Sequence, residues 1–141
     1  VVYDPADLST LHVDATIDAT TFYTGNPQRD EHVKSAQFLD VAQYPTITFV
    51  TKNATAGSAG AEKVSGDLTL HGVTREVTLD IPALSGEMTD PWGNRRLGLT
   101  ATTRIKRSDF GIDFNAPLEG GGFMLSDEVD VTLDLQLTRK P

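Results

Sequence analysis

The fold of this chain is decided by residues 64–79, VSGDLTLHGVTREVTL, in which apolar and polar side chains alternate on both sides of a His71-Gly72 pair. Successive side chains of a strand point to opposite faces, so the pattern predicts two strands with one buried and one wetted face. Glycine accepts a positive φ angle freely, and histidine adopts one more readily than branched residues do, which suits this pair to a two-residue hairpin turn. Arg75 departs from the pattern, because it is in phase with the apolar side chains.

The same alternation predicts further strands on both sides of the hairpin, at residues 11–19, 46–52, 97–107 and 128–138. Between the first two, Asn26 and Pro27 begin a predicted short helix, because asparagine caps helices and proline suits the first helical position. That helix covers residues 27–34, and a second helical turn is predicted at residues 35–40. The segments that remain are predicted loops at residues 53–60, 85–94 and 108–123.

About six strands and one helical excursion indicate an all-β domain. No helices are interleaved between the strands, which argues against a parallel α/β sheet. The polar faces are rich in threonine and aspartate, so each strand shows one face to water, as in an antiparallel barrel or sandwich. We find no linker and interpret residues 1–141 as a single domain.

The charge and the residue types exclude several functions. Twelve lysines and arginines against twenty acids give a net charge of −8, which disfavours nucleic acid and anionic membrane surfaces. Cysteine is absent, and the three histidines lack ligand-like spacing, so we expect no metal and no cofactor. Gly57-Ser58-Ala59-Gly60 lacks the spacing of a nucleophile elbow. We therefore expect a protein that is not an enzyme.

Several further motifs, in the right order, resemble the YceI-like family. They are RDEHVKS at residues 29–35, FLDV at 38–41, YPTITF at 44–49, GDLTLHGVT at 66–74, RSDFGI at 107–112 and SDEV at 126–129. The resemblance covers nearly the whole chain. It implies a bacterial protein with an eight-stranded, antiparallel, lipocalin-like barrel that holds a long apolar lipid, typically a polyisoprenoid or a fatty-acid-type molecule.

An apolar stripe would line the interior of such a barrel. By itself the stripe does not decide between a ligand cavity and a core filled by side chains, although the small residues Ala15, Gly66 and Ala101 favour a cavity. With the resemblance, we predict a lipid-binding interior. We also predict that the Gly120-Gly121-Gly122 loop forms a lid over it together with Phe110, Phe114 and Phe123. The predicted lining is Phe38, Phe49, Leu68, Leu70, Val77, Leu79, Leu99, Phe110, Phe114, Phe123, Val131 and Leu133.

Four basic residues are candidates for contact with a lipid head group. Arg29 and His32 lie on the predicted helix, where they contact a phosphate or carboxylate or else pin the helix over the barrel. Arg75 and Arg107 lie at strand ends in phase with the apolar face, where they reach the rim or meet an anionic head group. Trp92 is either a loop anchor or a residue of the barrel mouth.

Two alternatives to lipid carriage stay open: a structural or stress-associated barrel with a filled core, and an assembly module that pairs through strand edges. Members of the family usually begin with two more strands, with an Asp-x-x-His-Ser-like start, before the strand at residue 11. Without them the barrel has open edges. We therefore expect that this segment is absent from the chain, or that another molecule, such as a second copy, covers the gap.

Overall fold

The computed structural model describes residues 1–4, 6–56 and 61–140 of the chain. Within these residues one α-helix, α1 (Pro27–Lys34), and two 3₁₀ turns, Ala19–Thr21 and Arg107–Phe110, accompany nine strands. The strands are β1 (Val2–Asp4), β2 (Asp7–His12), β3 (Asp14–Asp18), β4 (Thr46–Ala56), β5 (Glu62–Leu70), β6 (Val73–Ile81), β7 (Met88–Thr89), β8 (Arg95–Lys106) and β9 (Glu128–Thr138). In this part of the chain no helix is long and apolar enough to cross a membrane.

Seven of these strands form one antiparallel sheet. Its order is β3-β4-β5-β6-β8, and β8 pairs with β6 and β7 on one edge and with β9 along the other. The hairpin of β1 and β2 forms a second small sheet. It is joined to β4 because the Thr51 amide donates to the Val13 carbonyl at 2.9 Å and the Val13 amide donates to Thr51 Oγ1 at 2.9 Å.

The central hairpin has the predicted geometry. β5 and β6 pair in register from Glu62↔Ile81 to Leu70↔Val73. His71 and Gly72 form the turn with φ angles of 54° and 72°, as a type I′ turn requires. His71 Nδ1 lies 3.0 Å from the Phe110 carbonyl oxygen, and its ring packs edge-on against Tyr44. The turn is therefore fixed to the segment that follows β8.

The helix 27–34 and the strand 128–138 are confirmed, whereas other predicted boundaries are wrong. The predicted strand 11–19 is interrupted at Val13, where Thr51 bonds to its backbone, and it ends in a 3₁₀ turn. Residues 35–40 form hydrogen-bonded turns rather than a helix. Residues 53–60 were predicted as a loop, but from Asn53, which pairs with Ser65 after a bulge, β4 continues to Ala56. Residues 57–60 of the predicted loop lie outside the described residues.

The predicted closed barrel is not observed. Among the described residues β3 pairs only with β4, and β9 only with β8, so the sheet ends at two free edges. A barrel closes only when every strand has two neighbours. The sheet nevertheless curls. This follows from the one buried cluster that contains Leu11 of β2, Val64 of β5 and Ala101 of β8. The structure is thus an open, curled antiparallel sheet with one concave face, called the inner face below.

Two hydrophobic clusters lie along the inner face. The first is centred on Leu11, Phe49, Ala54, Val64, Ile81 and Ala101. The second is centred on Leu70, Phe110 and Ile112, at the end of the sheet where the His71-Gly72 turn lies. Leu68 and Val77 pack against both clusters, so the two clusters are continuous along the inner face.

Candidate ligand-binding face

Most of the predicted lining lies together on the inner face. Phe49 and Leu70 are buried there, and several aliphatic residues of the same face are only half-buried. These half-buried residues are Leu68, Val77, Leu79, Leu99, Val131 and Leu133. The same phase continues into side chains that are more than a third exposed: Ile17 at 44%, Leu135 at 42% and Val129 at 38%. The exposed apolar positions belong to β3 and β9, the strands at the two free edges.

Two of the small residues that favoured a cavity in the sequence leave little room. A Cβ atom added at Gly66 would collide with the Val50 carbonyl oxygen and would lie 2.6 Å from Phe49 Cζ, so backbone and ring already fill the space above the glycine. Ala101 is 2% exposed and belongs to the first cluster. Glycine at position 66 is therefore needed for the close approach of the Val50 backbone and the Phe49 ring, and the accessible apolar surface lies nearer the free edges.

One end of the inner face is covered by α1 and the loops around it. Phe38 and Leu39 pack against the cluster of Leu70, Phe110 and Ile112. The rings of His32, Phe38 and Phe114 form an edge-to-face trio with centroid separations of 4.9, 5.3 and 5.2 Å. The predicted aromatic residues Phe38, Phe110 and Phe114 thus close this end. Phe123, predicted as part of a lid, is 68% exposed.

The basic residues of α1 hold the helix in place. Arg29 donates from Nε to Thr24 Oγ1 at 2.8 Å and from Nη2 to the Thr24 carbonyl at 3.0 Å. Buried Asp30 accepts from the Thr24 amide at 2.8 Å. His32 Nε2 lies 2.5 Å from Gln37 Oε1. These contacts match the structural alternative for Arg29 and His32, and their contact with a head group stays a prediction.

Arg107 is buried and organises the long loop after β8. Its Nε donates to the Ser126 carbonyl at 2.9 Å, and its Nη1 donates to the carbonyls of Ile112 and Phe114 at 2.9 and 2.7 Å. These three acceptors come from both ends of the loop. The geometry gives Arg107 a structural role, and a head-group contact by this side chain has no support in the structure.

Arg75 faces a groove between β6 and β8. The two strands share a single register pair, Asp80↔Thr102, whereas β8 and β9 stay paired from Arg96 to Lys106. Toward the His71-Gly72 turn β6 and β8 separate and leave a groove of about 540 Å³. Arg75 lies there with its Nε donating to the Asp109 carbonyl at 3.1 Å.

Glu62 is an inner-face residue that the sequence analysis missed. Its side chain is 2% exposed, and neither carboxyl oxygen has a hydrogen-bond partner within the described residues. Burial raises the pKa of Glu62, and the nearby Asp7 carboxylate raises it further. The signal was present in the sequence, because Glu62 is in phase with Val64, Gly66 and Leu68.

The hairpin of β7 and β8 carries Trp92 at its tip, where the indole is 80% exposed. Asp90 organises the turn by accepting hydrogen bonds from the amides of Trp92 and Asn94 at 2.9 and 2.8 Å and from Arg96 Nε at 2.6 Å. Desolvation opposes ionisation of Asp90, but these hydrogen bonds, led by those of Asn94, outweigh it and lower its pKa to about 2. Trp92 packs neither in the core nor on the inner face.

Comparison with known proteins identifies the family. The YceI-like domain matches residues 1–137. The chain belongs to the YceI-like family. This confirms the resemblance of the sequence motifs and agrees with the all-β, antiparallel class.

In the part of the chain that the structure describes, no group of three or more histidines and acids is placed to hold a metal ion.

Relatives and solved structures agree with this family. UPF0312 proteins of Staphylococcus aureus are 41% identical over 127 residues, which cover 89% of this chain and 71% of theirs. UPF0312 proteins of Vibrio cholerae are 37% identical over 110 residues, 78% of this chain but only 58% of their own length. The Campylobacter jejuni YceI protein superposes with a TM-score of 0.82 at 26% identity, covering 99% of this chain and 79% of that one. Burkholderia cenocepacia BcnA has the same fold, with a TM-score of 0.80 at 24% identity over 97% of this chain and 80% of that one.

Proposed function

We propose that this YceI-like chain binds one long apolar lipid, polyisoprenoid or fatty-acid-like, along its inner face and sequesters or carries it without catalysing a reaction. The observation that supports the proposal is the strip of half-buried aliphatic side chains on the inner face, which continues into exposed Ile17, Val129 and Leu135. Contiguous exposed apolar surface of this kind marks binding sites. The family and its lipocalin-like fold agree with a hydrophobic ligand.

The chemistry of the strip suits an apolar chain. Its members are leucine, valine and isoleucine, which offer no hydrogen bonds and recognise no functional group. Binding would come from the removal of carbon from water, at roughly 0.8 kcal/mol for each methylene buried. The aromatic trio at the α1 end gives the strip one closed end, so a bound chain would enter from the side of the free edges or from the other end.

The proposal is tested by filling the strip from β9. Leu133 is half-buried on the inner face, and the neighbouring Thr132 is exposed on the outer face. We expect Leu133→Trp to reduce binding of a fluorescent long-chain lipid at least tenfold, whereas the control Thr132→Trp leaves binding unchanged. Leu68→Trp is a second inner-face variant.

The same variants separate lipid binding from a structural, side-chain-filled core. If the inner face is open, the added indole occupies ligand space and stability changes little. If the core is already filled, overpacking lowers the free energy of unfolding by about 1–3 kcal/mol, and the parent chain takes up no lipid. Organic extraction of the purified protein followed by mass spectrometry identifies any lipid it holds. Extracts without lipid, together with no binding in titration, would refute the proposal.

The free edges favour assembly through strand pairing as a second candidate function. β9 presents eleven residues, Glu128–Thr138, along an edge that pairs with no other strand within the described residues. Unpaired edges are templates for strands of another molecule. Light scattering across a hundredfold range of concentration tests this, because edge pairing gives a mass that rises with concentration, whereas a lipid carrier with protected edges keeps a constant mass.

A further inference from the structure

The groove between β6 and β8 opens the wall of the sheet rather than its end. Its lining includes inner-face residues Val77 and Ile105, and outer-face residues Thr78 and Lys106. Neighbouring positions along a strand point to opposite faces, so a groove lined by both sets passes between the two strands. Buried Phe110, against which Val77 and Ile105 pack, also lines the groove, so its inner side is apolar and its outer side meets water.

Several of the charged side chains that line the groove are engaged in ion pairs. Glu76 is paired with Lys52 at 3.3 Å and Asp80 with Lys63 at 3.5 Å. Arg104 is paired with Asp130 at 2.6 Å and with Glu128 at 3.5 Å. Each of these three residues therefore has a partner of opposite charge outside the groove, and Lys52 also pairs with Asp67 at 3.1 Å. The lining also contains Arg75, Lys106 and Asp109, which belong to none of these ion pairs, and Lys106 lies opposite Glu128 in the β8–β9 register.

Arg75 is held in position to act in this groove. Its Nε donates to the backbone carbonyl of Asp109, which leaves the two terminal nitrogens of the guanidinium without a hydrogen bond in the described part of the chain. A guanidinium of this kind suits an oxygen anion such as a carboxylate or phosphate.

We propose that this groove binds the anionic head group of a single-chain lipid whose apolar part lies on the inner face, with Arg75 and Lys106 as the anion contacts. The inference rests on the proposed function. The head group is a carboxylate or a phosphate, because both offer the oxygen anion that Arg75 can bind. It places recognition of the head group in the wall of the sheet, away from Arg29, His32 and Arg107.

The test compares lipids that differ only in the head group. Hexadecanoate is titrated against hexadecanol, and farnesyl phosphate against farnesol, so that the two pairs distinguish a carboxylate from a phosphate. For at least one pair we expect the anion to bind roughly 3- to 10-fold more tightly than the alcohol, and this preference to shrink as salt is raised. Arg75→Gln and Lys106→Gln should remove the preference while leaving binding of the alcohols unchanged.

Two further variants sharpen the result. Asp109→Asn removes the opposing charge and keeps the backbone carbonyl that Arg75 uses, so it should increase the anion preference a few-fold. Arg139→Gln changes the net charge equally but lies about 30 Å away along β8 and β9, at their opposite ends, and should have no effect. If alcohols and anions bind equally, or if Arg139→Gln acts like Arg75→Gln, the groove is not the head-group site although lipid binding stands. If neither kind of lipid binds, the proposed function itself fails.

Discussion

Replacement of Glu62 should stabilise this protein, contrary to the usual effect of a substitution in a core. Its carboxyl group is buried on the inner face and has no hydrogen-bond partner within the described residues. A buried polar group without a partner costs about 1–3 kcal/mol. Glu62→Leu removes that group and puts an apolar side chain of similar size in its place beside Val64 and Ile81. We therefore expect the free energy of unfolding to rise by about 1–3 kcal/mol at pH 7.

The pH dependence gives a second, independent measure. Burial raises the pKa of Glu62 in the folded chain, while in the unfolded chain it ionises near pH 4.3. Between these two values the unfolded chain binds fewer protons, so wild-type stability falls as the pH rises, by at most about 1.4 kcal/mol per pH unit. Above the folded pKa the loss is complete and constant. Glu62→Gln does not ionise and should lack this fall.

Urea unfolding of the wild type, Glu62→Gln and Glu62→Leu between pH 4 and 8 measures both effects. Only the difference between curves is used, because the other acids are common to all three proteins. Parallel curves for wild type and Glu62→Gln, or a loss of stability in Glu62→Leu, would show that Glu62 has a partner and that the reasoning is wrong.

Three other substitutions test the packing, the loop and the turn. Gly66→Ala places a methyl group against the Val50 carbonyl oxygen and the Phe49 ring, and urea unfolding should show a free energy of unfolding lower by about 1–3 kcal/mol. In the control Gly98→Ala the methyl group meets only the Ser85 side chain, with Oγ at 3.4 Å, and the free energy of unfolding should change by less than about 1 kcal/mol. Arg107→Gln removes charged hydrogen bonds to carbonyls at both ends of the loop after β8, so it should lower the free energy of unfolding by about 3 kcal/mol and speed proteolysis of that loop. Wild-type resistance to proteolysis would contradict the structural role of Arg107. Ionised Asp90 stabilises the turn, and this stability is present above its unfolded pKa of about 4 and is lost as the pH falls through about 2. Asp90→Asn should therefore change the fluorescence of Trp92 at pH 7 and abolish the change in that fluorescence that the wild type shows on acidification.

The local fold could be predicted from the sequence because strand alternation is a local property. The His71-Gly72 turn and β9 are visible as patterns within a dozen residues. The break at Val13 is not, because it depends on Thr51, which lies 38 positions away and bonds to the Val13 backbone. Closure is not local either. It depends on whether β3 and β9 each have a second neighbour, and neither does in the described chain.

The candidate site could be predicted only in part, for a similar reason. Phase within a strand placed Leu68, Val77 and Leu133 on the inner face, and phase alone would also have found Glu62. Phase could not decide what a charged side chain contacts. Arg75 and Arg107 are both in phase with the apolar residues of their strands. In the structure Arg107 donates hydrogen bonds to three backbone carbonyls, whereas Arg75 faces a groove. That groove exists because β6 and β8 separate, which no pattern within one strand encodes.

The dependence of affinity on chain length is the most direct test of the proposed lipid-binding face. A series of unbranched fatty alcohols that differ by two methylenes is titrated against the wild-type chain. Each methylene buried on the inner face contributes about 0.8 kcal/mol, and tenfold in affinity corresponds to about 1.4 kcal/mol, so affinity should rise roughly fourfold per methylene until the face is filled. An affinity that does not change with chain length, or no measurable binding at any length, would contradict the account.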